Sequence, residues 1–163
     1  MCLLLFKYPQ EEIATENITC YKIIEKHLFV EIFKHKFYKY KTAMQKAKIT
    51  LGKSYKAKFT FDTFIFDRFS ATEHKRKTIE KGLHSFAKIE DAKLFCNHHF
   101  KHSFKDYVIV KCIIPKNTKF YRGMFDDSDA YSSTKIQYTK ELFSTTTELE
   151  DKINKMFDEI LKD

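Results

Sequence analysis

The stretch LFVEIFKHKFYKYKTAMQKAKITL, Leu28 to Leu51, admits two secondary structures, and the class of the fold hangs on the choice. Val30, Phe33, Phe37, Tyr40, Met44, Ala47 and Leu51 recur at alternating spacings of three and four residues. Such spacing puts apolar side chains along one face of an α-helix. Lys34, Lys41 and Lys48 then fall seven apart on another face, with Lys36, Lys39 and Lys46 near them. The competing reading is a β-hairpin, because Leu28 to Phe33 is dense in strand formers. The periodicity predicts a helix from about His27 to Thr50.

On either side the signals mix. Ile18 to Ile24 (ITCYKII) is β-branched and aromatic, which predicts a strand. Tyr55, Ala57, Phe59 and Phe61 alternate with Lys56, Lys58 and Thr60, the pattern of a half-buried strand, and Thr63 to Phe69 extends it. Glu73 to Lys81 is polar and reads as a short helix or exposed loop ending at Gly82. Leu83 to Phe86 is a short strand. Ile89 to Phe100 carries Ala92, Phe95, Cys96, His99 and Phe100 on a helical face. Tyr107 to Ile114 (YVIVKCII) is apolar on both faces and predicts a central strand ended by Pro115. Lys116 to Thr118 forms a turn in which Asn117 suits a positive φ. Lys119 to Phe125 and Ile136 to Tyr138 are further strands around an acidic loop, Asp126 to Asp129. Thr145 to Leu161 has two capping boxes, Thr145-x-x-Glu148 and Thr147-x-x-Glu150, and predicts a terminal helix. The expectation is a single α+β domain over residues 1–163, a mixed or antiparallel sheet packed with about three to four helices.

Composition narrows the function. The 163 residues are 43% hydrophobic and 32% charged, enough to bury a core and unlike a disordered chain. Three Gly and two Pro leave little room for a Gly-rich phosphate loop. The net charge of +8 is uneven. Lys22 to Lys81 carries 16 Lys/Arg against 6 Asp/Glu, whereas Glu141 to Asp163 carries 7 acids against 3 bases. Such asymmetry predicts a polyanionic partner for one face. Cys2, Cys20, Cys96 and Cys112 form no C-x-x-C pair, and Cys20 and Cys112 sit in apolar runs as small buried hydrophobes. Reduced thiols predict a cytoplasmic location. The apolar run Met1 to Phe6 is too short for a signal-peptide core, and no segment approaches the roughly 20 apolar residues of a membrane span. No membrane partner is expected, and a monomer is.

Two basic clusters are the candidate contacts with that partner. The run Phe33 to Lys41 interleaves aromatics and lysines, which suits phosphate neutralisation and base stacking. It places Lys34, Lys36, Lys39, Lys41, Lys46 and Lys48 on one face, with the aromatics turned to the core. His74-Lys75-Arg76-Lys77 is the second cluster, with Lys75, Arg76 and Lys77 as contacts. His98 and His102, at i and i+4 on a helix, have metal-ligand spacing but no third ligand, so no metal is expected. His84-Ser85 cannot act as base and nucleophile within one strand, because neighbours point to opposite faces. The acidic loop lacks the Gly and distal Glu of a calcium loop. Neither a catalytic residue nor a cofactor is expected.

Several segments resemble one family of small proteins of Bacteroidota and their phages. These are Met1-Cys2-Leu3, Glu16 to Lys22 (ENITCYK), Gly82 to Phe86 (GLHSF), Cys112 to Gly123 (CIIPKNTKFYRG) and Tyr131-Ser132-Ser133. Asn117 stands where that family's pattern has Gly. The resemblance implies a phage or prophage protein, similar in character to anti-CRISPR inhibitors of the type VI-B RNA-guided RNase. It further implies a non-catalytic inhibitor that binds an RNA-guided effector nuclease, its guide RNA, or both. The Pro115 to Thr118 turn, the Tyr121-Arg122 pair and Tyr131 to Ser133 also resemble the sheets of ADP-ribosyltransferases. That alternative implies roles for His84 and Glu141. A further alternative is a partner of an acidic host protein.

Overall fold

A computed structural model describes residues 3–5, 10–32, 35–43, 46–66, 74–100, 103 and 105–144. In place of an α+β domain with three to four helices, the described residues form a β-rich fold with one helix. The first strands in chain order are β1 (Leu3–Leu5), β2 (Glu12–Ile13), β3 (Ile18–Ile32), β4 (His35–Thr42) and β5 (Lys48–Ile49). Next come β6 (Ser54–Lys56), β7 (Thr60–Phe66), β8 (His74–Lys81) and β9 (Leu83–Phe86). After the helix α1 (Ile89–Phe100) come β10 (Asp106–Ile114), β11 (Lys119–Phe125), β12 (Ser128–Ser133) and β13 (Lys135–Ser144). The helix predicted over Thr145 to Leu161 lies outside the described residues.

The predicted helix from His27 to Thr50 is a hairpin. The strand that begins at Ile18 runs on to Ile32, and β4 returns antiparallel along it, with Lys26 opposite Tyr40 and His27 opposite Lys39. The physical reason is edge satisfaction. β3 presents a row of backbone donors and acceptors, and residues rich in Phe, Tyr and Ile pair along that row with little loss of side-chain freedom. Tyr38, Tyr40 and Thr42 alternate with Lys39 and Lys41, a period of two within the apparent helical stripe. The chain turns again at Ala43, where Thr42 bonds both ways with Ala47 and Lys46 adopts a left-handed φ of 56°. Glu73 to Lys81, read as helix or loop, contains the strand β8, paired with β7.

Of the single-element expectations, two are corrected: the strand read over Tyr55 to Phe61 is two strands, β6 and β7, paired with β13 and β8, and the acidic loop read over Asp126 to Asp129 shrinks to a two-residue turn because Ser128 and Asp129 already belong to β12. β10 is central, with β3 on one edge and β13 on the other. Helix α1 has the predicted bounds and buries Ala92, Phe95 and Cys96. Asn117 takes a φ of 64°, and Asp126 and Asp127 are both left-handed, as a two-residue hairpin between β11 and β12 requires.

All pairings are antiparallel, in the order β6-β13-β10-β3-β9-β12-β11-β1-β8-β7. β4 with β5 attaches to β3, and β2 to β11. β3 and β10 pair without a register shift from Ile18–Ile114 to Lys26–Asp106. Their two faces enter two cores. Cys20, Ile24, Val108, Val110, Cys112 and Ile114 pack with Ile136 and Tyr138, whereas Ile23, Tyr107 and Ile109 pack under α1.

The outer edge of β3 is shared. β4 pairs with it from Ile24 onward, and β9 meets it at Tyr21–Phe86. A cleft opens at this fork, lined by Lys22, Thr42, His84 and Ser85 among apolar residues, with about 30 Å³ for the centres of water-sized molecules. That is room for one or two waters. Burial pushes the Lys22 ammonium below its ordinary value. No helix among the described residues is long and apolar enough to cross a membrane.

Gly82 is required by close approach. A Cβ there would collide with Ser132 Oγ and stand 3.3 Å from the Phe59 ring. Gly82→Ala therefore lowers stability by about 1–3 kcal/mol in urea titration. Ser132 is wholly buried, and its hydroxyl has no hydrogen-bond partner among the described residues. The double variant with Ser132→Ala accordingly recovers part of the loss.

Cys20 and Cys112 face each other in register as buried free thiols. Burial pushes the Cys20 thiol up to about 11 from 9.0, and that of Cys112 well above its ordinary value. The neutral form belongs to the folded state, so its contribution is intact below the unfolded value of 9.0 and is lost as pH rises through about 11. The unfolding free energy from urea titration falls over that window, by about 1.4 kcal/mol per pH unit per thiol. Replacing both residues with Ala flattens this alkaline limb.

Candidate polyanion-binding face

The hairpin gathers the predicted lysines by a different route from a helix. Lys39 and Lys41 are two apart on β4, and Lys41 stands directly opposite Lys48 on β5. Across β3 the same face continues through Glu25, opposite Lys41, and His27, opposite Lys39. Lys46 from the β4–β5 turn and Lys105 from the segment before β10 reach this face through Glu25.

Glu25 is the organising group. Its side chain is 2% exposed and meets Lys46 Nζ at 2.6 Å, Lys105 Nζ at 3.1 Å and His27 Nε2 at 2.8 Å. Burial alone would raise its pKa, and the two ammonium groups with His27 outweigh that, holding the carboxyl below its ordinary value. The Lys105 ammonium is raised by its bond to Glu25. Lys46 also donates to Ala43 O at 2.6 Å, which fastens the turn.

Lys39, Lys41 and Lys48 lack a carboxylate partner among the described residues. Lys39 Nζ sits 3.1 Å from the centre of the Phe29 ring, which is 60% exposed. Five lysines around one carboxylate leave this face strongly positive.

The opposite face of the hairpin is nearly neutral. Lys26 pairs with Glu141 at 2.9 Å, and the Tyr40 hydroxyl donates to the same carboxylate. Burial first, and then Glu141, push the Tyr40 phenol above its ordinary value.

Other predicted contacts go elsewhere. Lys34 lies outside the described residues, and Lys36 stands on β4 opposite Glu31. Lys75, Arg76 and Lys77 stand on β8 opposite Ile65, Phe64 and Thr63, far from β3 in the sheet order. His84 shares a face with Phe86 in the core under α1, whereas Glu141 is opposite Val110 in the other core. The two residues of the transferase alternative thus point to opposite faces of the sheet. His99 Nε2 meets Asp126 Oδ2 at 3.0 Å, and His102 lies outside the described residues. No group of three His, Cys, Asp or Glu among the described residues is placed to hold a metal.

Sequence reading missed Glu25, Lys105 and His27. The signal was faint: a lone acid amid ITCYKIIEKH, within a strand whose neighbours are buried. Only pairing across three segments makes it a hub. Comparison with known protein families, with curated proteins and with solved structures returns no match.

Because the folded carboxyl is held low, Glu25 contributes stability above its ordinary value of 4.5 that is lost as pH falls through the lower folded value. Glu25→Gln is expected to cost about 1–3 kcal/mol at pH 7 and to flatten the acid limb of a stability–pH profile.

Proposed function

We propose that the chain is a non-catalytic RNA-binding protein that holds a phosphate backbone on the face built by Lys39, Lys41, Lys46, Lys48 and Lys105. The observation that carries this reading is the direct opposition of Lys41 and Lys48 across β4 and β5, with Lys39 beside them and no carboxylate paired to any of the three among the described residues. Like charges directly opposite cost stability in a sheet, and an anion between them removes that cost. Phe29 supplies an exposed ring on the same hairpin, and stacking on such a ring is tolerant of base identity. Lysines grip phosphate without reading sequence, so recognition is of backbone and shape. The resemblance expected for the GLHSF and CIIPKNTKFYRG segments implies guide RNA, free or within an RNA-guided nuclease, as the RNA.

The test is fluorescence anisotropy with labelled single-stranded RNA across a salt titration. Binding is expected to weaken steeply with salt. The variant Lys39→Glu/Lys41→Glu/Lys48→Glu should flatten the log–log slope by about 2, at roughly 0.7 for each phosphate no longer neutralised. An unchanged slope in that variant overturns the proposal. Capture of the effector complex without affinity for RNA alone assigns the face to protein instead.

A further inference from the structure

A second basic site adjoins the other side of the β4–β5 hairpin, whose Thr42, Ala47 and Ile49 line it. Two adjoining cavities, of about 420 and 550 Å³, share Lys56, Ala57 and Lys58. Each falls in the size range of small-molecule sites. Their linings differ. The first is walled by Ile49, Tyr55, Leu83 and Tyr138, with Lys81 at its rim. The second is polar, formed with Asn117, Thr118, Thr134 and Lys135.

Two observations point to a ligand. Lys56, Lys58, Lys81 and Lys135 form no ion pair among the described residues, so four ammonium groups surround one groove without a carboxylate. On the apolar side, the half-buried Tyr55 and Leu83 form a floor, and the Tyr55 ring stands edge to face, 5.4 Å from that of the fully buried Tyr138.

We propose that this groove binds a phosphate monoester the size of a mononucleotide. The phosphate lies against Lys56, Lys58 and Lys135 in the polar half. The heterocycle lies on Tyr55 and Leu83. Charge without an apolar floor would favour inorganic phosphate, and an apolar floor without charge would favour a neutral nucleoside. The groove has both halves, joined at Ala57. It is independent of the RNA-binding face, with which it shares no lysine.

The test is isothermal titration of the full chain with uridine 5′-monophosphate, uridine and inorganic phosphate, accompanied by amide-shift mapping. The monophosphate is expected to bind at least about tenfold more tightly than either fragment, a difference of about 1.4 kcal/mol. Shifts should centre on Tyr55 to Lys58, Lys81 and Lys135. Lys58→Gln/Lys135→Gln should weaken the monophosphate about tenfold with an unchanged circular dichroism spectrum. Lys39→Glu/Lys41→Glu/Lys48→Glu should leave its binding unaltered. Absence of saturable binding overturns the proposal. So does phosphate binding as tightly as the monophosphate, or shifts centred on the hairpin face, which would make the anion a ligand of that surface.

Discussion

Strands β3 and β10 pair at nine registered positions and bury apolar side chains on both faces, so both faces must be covered. That requirement places the other elements. One face takes Ile136 and Tyr138 of β13, and the other takes α1. The outer edge of β3 is then left with more backbone than one partner supplies. β4 takes its later half and β9 touches its beginning, and the fork between them sets both the Lys22 cleft and one wall of the larger groove. Thr42 and Gly82 line both cavities, because they stand on the two arms of that fork.

Charge is distributed by the same geometry. A strand alternates its faces, so β4 sends Tyr38 and Tyr40 to one side and Lys39 and Lys41 to the other. On the tyrosine side, Glu141 neutralises Lys26 and engages Tyr40. On the lysine side, Glu25 is buried and occupied by Lys46, Lys105 and His27, leaving the other three ammonium groups unpaired among the described residues. A buried carboxylate needs more than one cation beside it, since removal from water costs more than one pair returns. The hub that anchors the turn therefore also leaves the face positive.

Strands β9, β10 and β11 and helix α1 were legible because their signals are local. YVIVKCII is apolar on both faces, and Pro115 ends it. Asn117 and the Asp126-Asp127 pair announced turns that need φ > 0. The hairpin was misread because its aromatics fall at helical spacing by density alone. The competing alternation from Tyr38 to Thr42 spans only five residues. Of the lysines named from the sequence, Lys39, Lys41, Lys46 and Lys48 share a side of the hairpin. Lys75 to Lys77 belong to a distant strand.

Local and additive properties are written along the linear chain. These are the central strand, the helix with its bounds, the left-handed turns, the buried thiols and the concentration of lysine before Lys81. Each depends on a residue and its near neighbours. Assembly of the sheet, by contrast, made the described residues within 27–50 strands and turns, because the unpaired edge of β3 prevailed over a helical stripe. It also selected which lysines stay free, because Glu25, Lys46 and Lys105 are brought within hydrogen-bond reach only by strand register. The groove's lysines come from β6, the segment after it, β8 and β13, and no spacing along the chain encodes their meeting. Backbone pairing and charge neutralisation are long-range conditions, met only when every edge and every buried charge has found its partner.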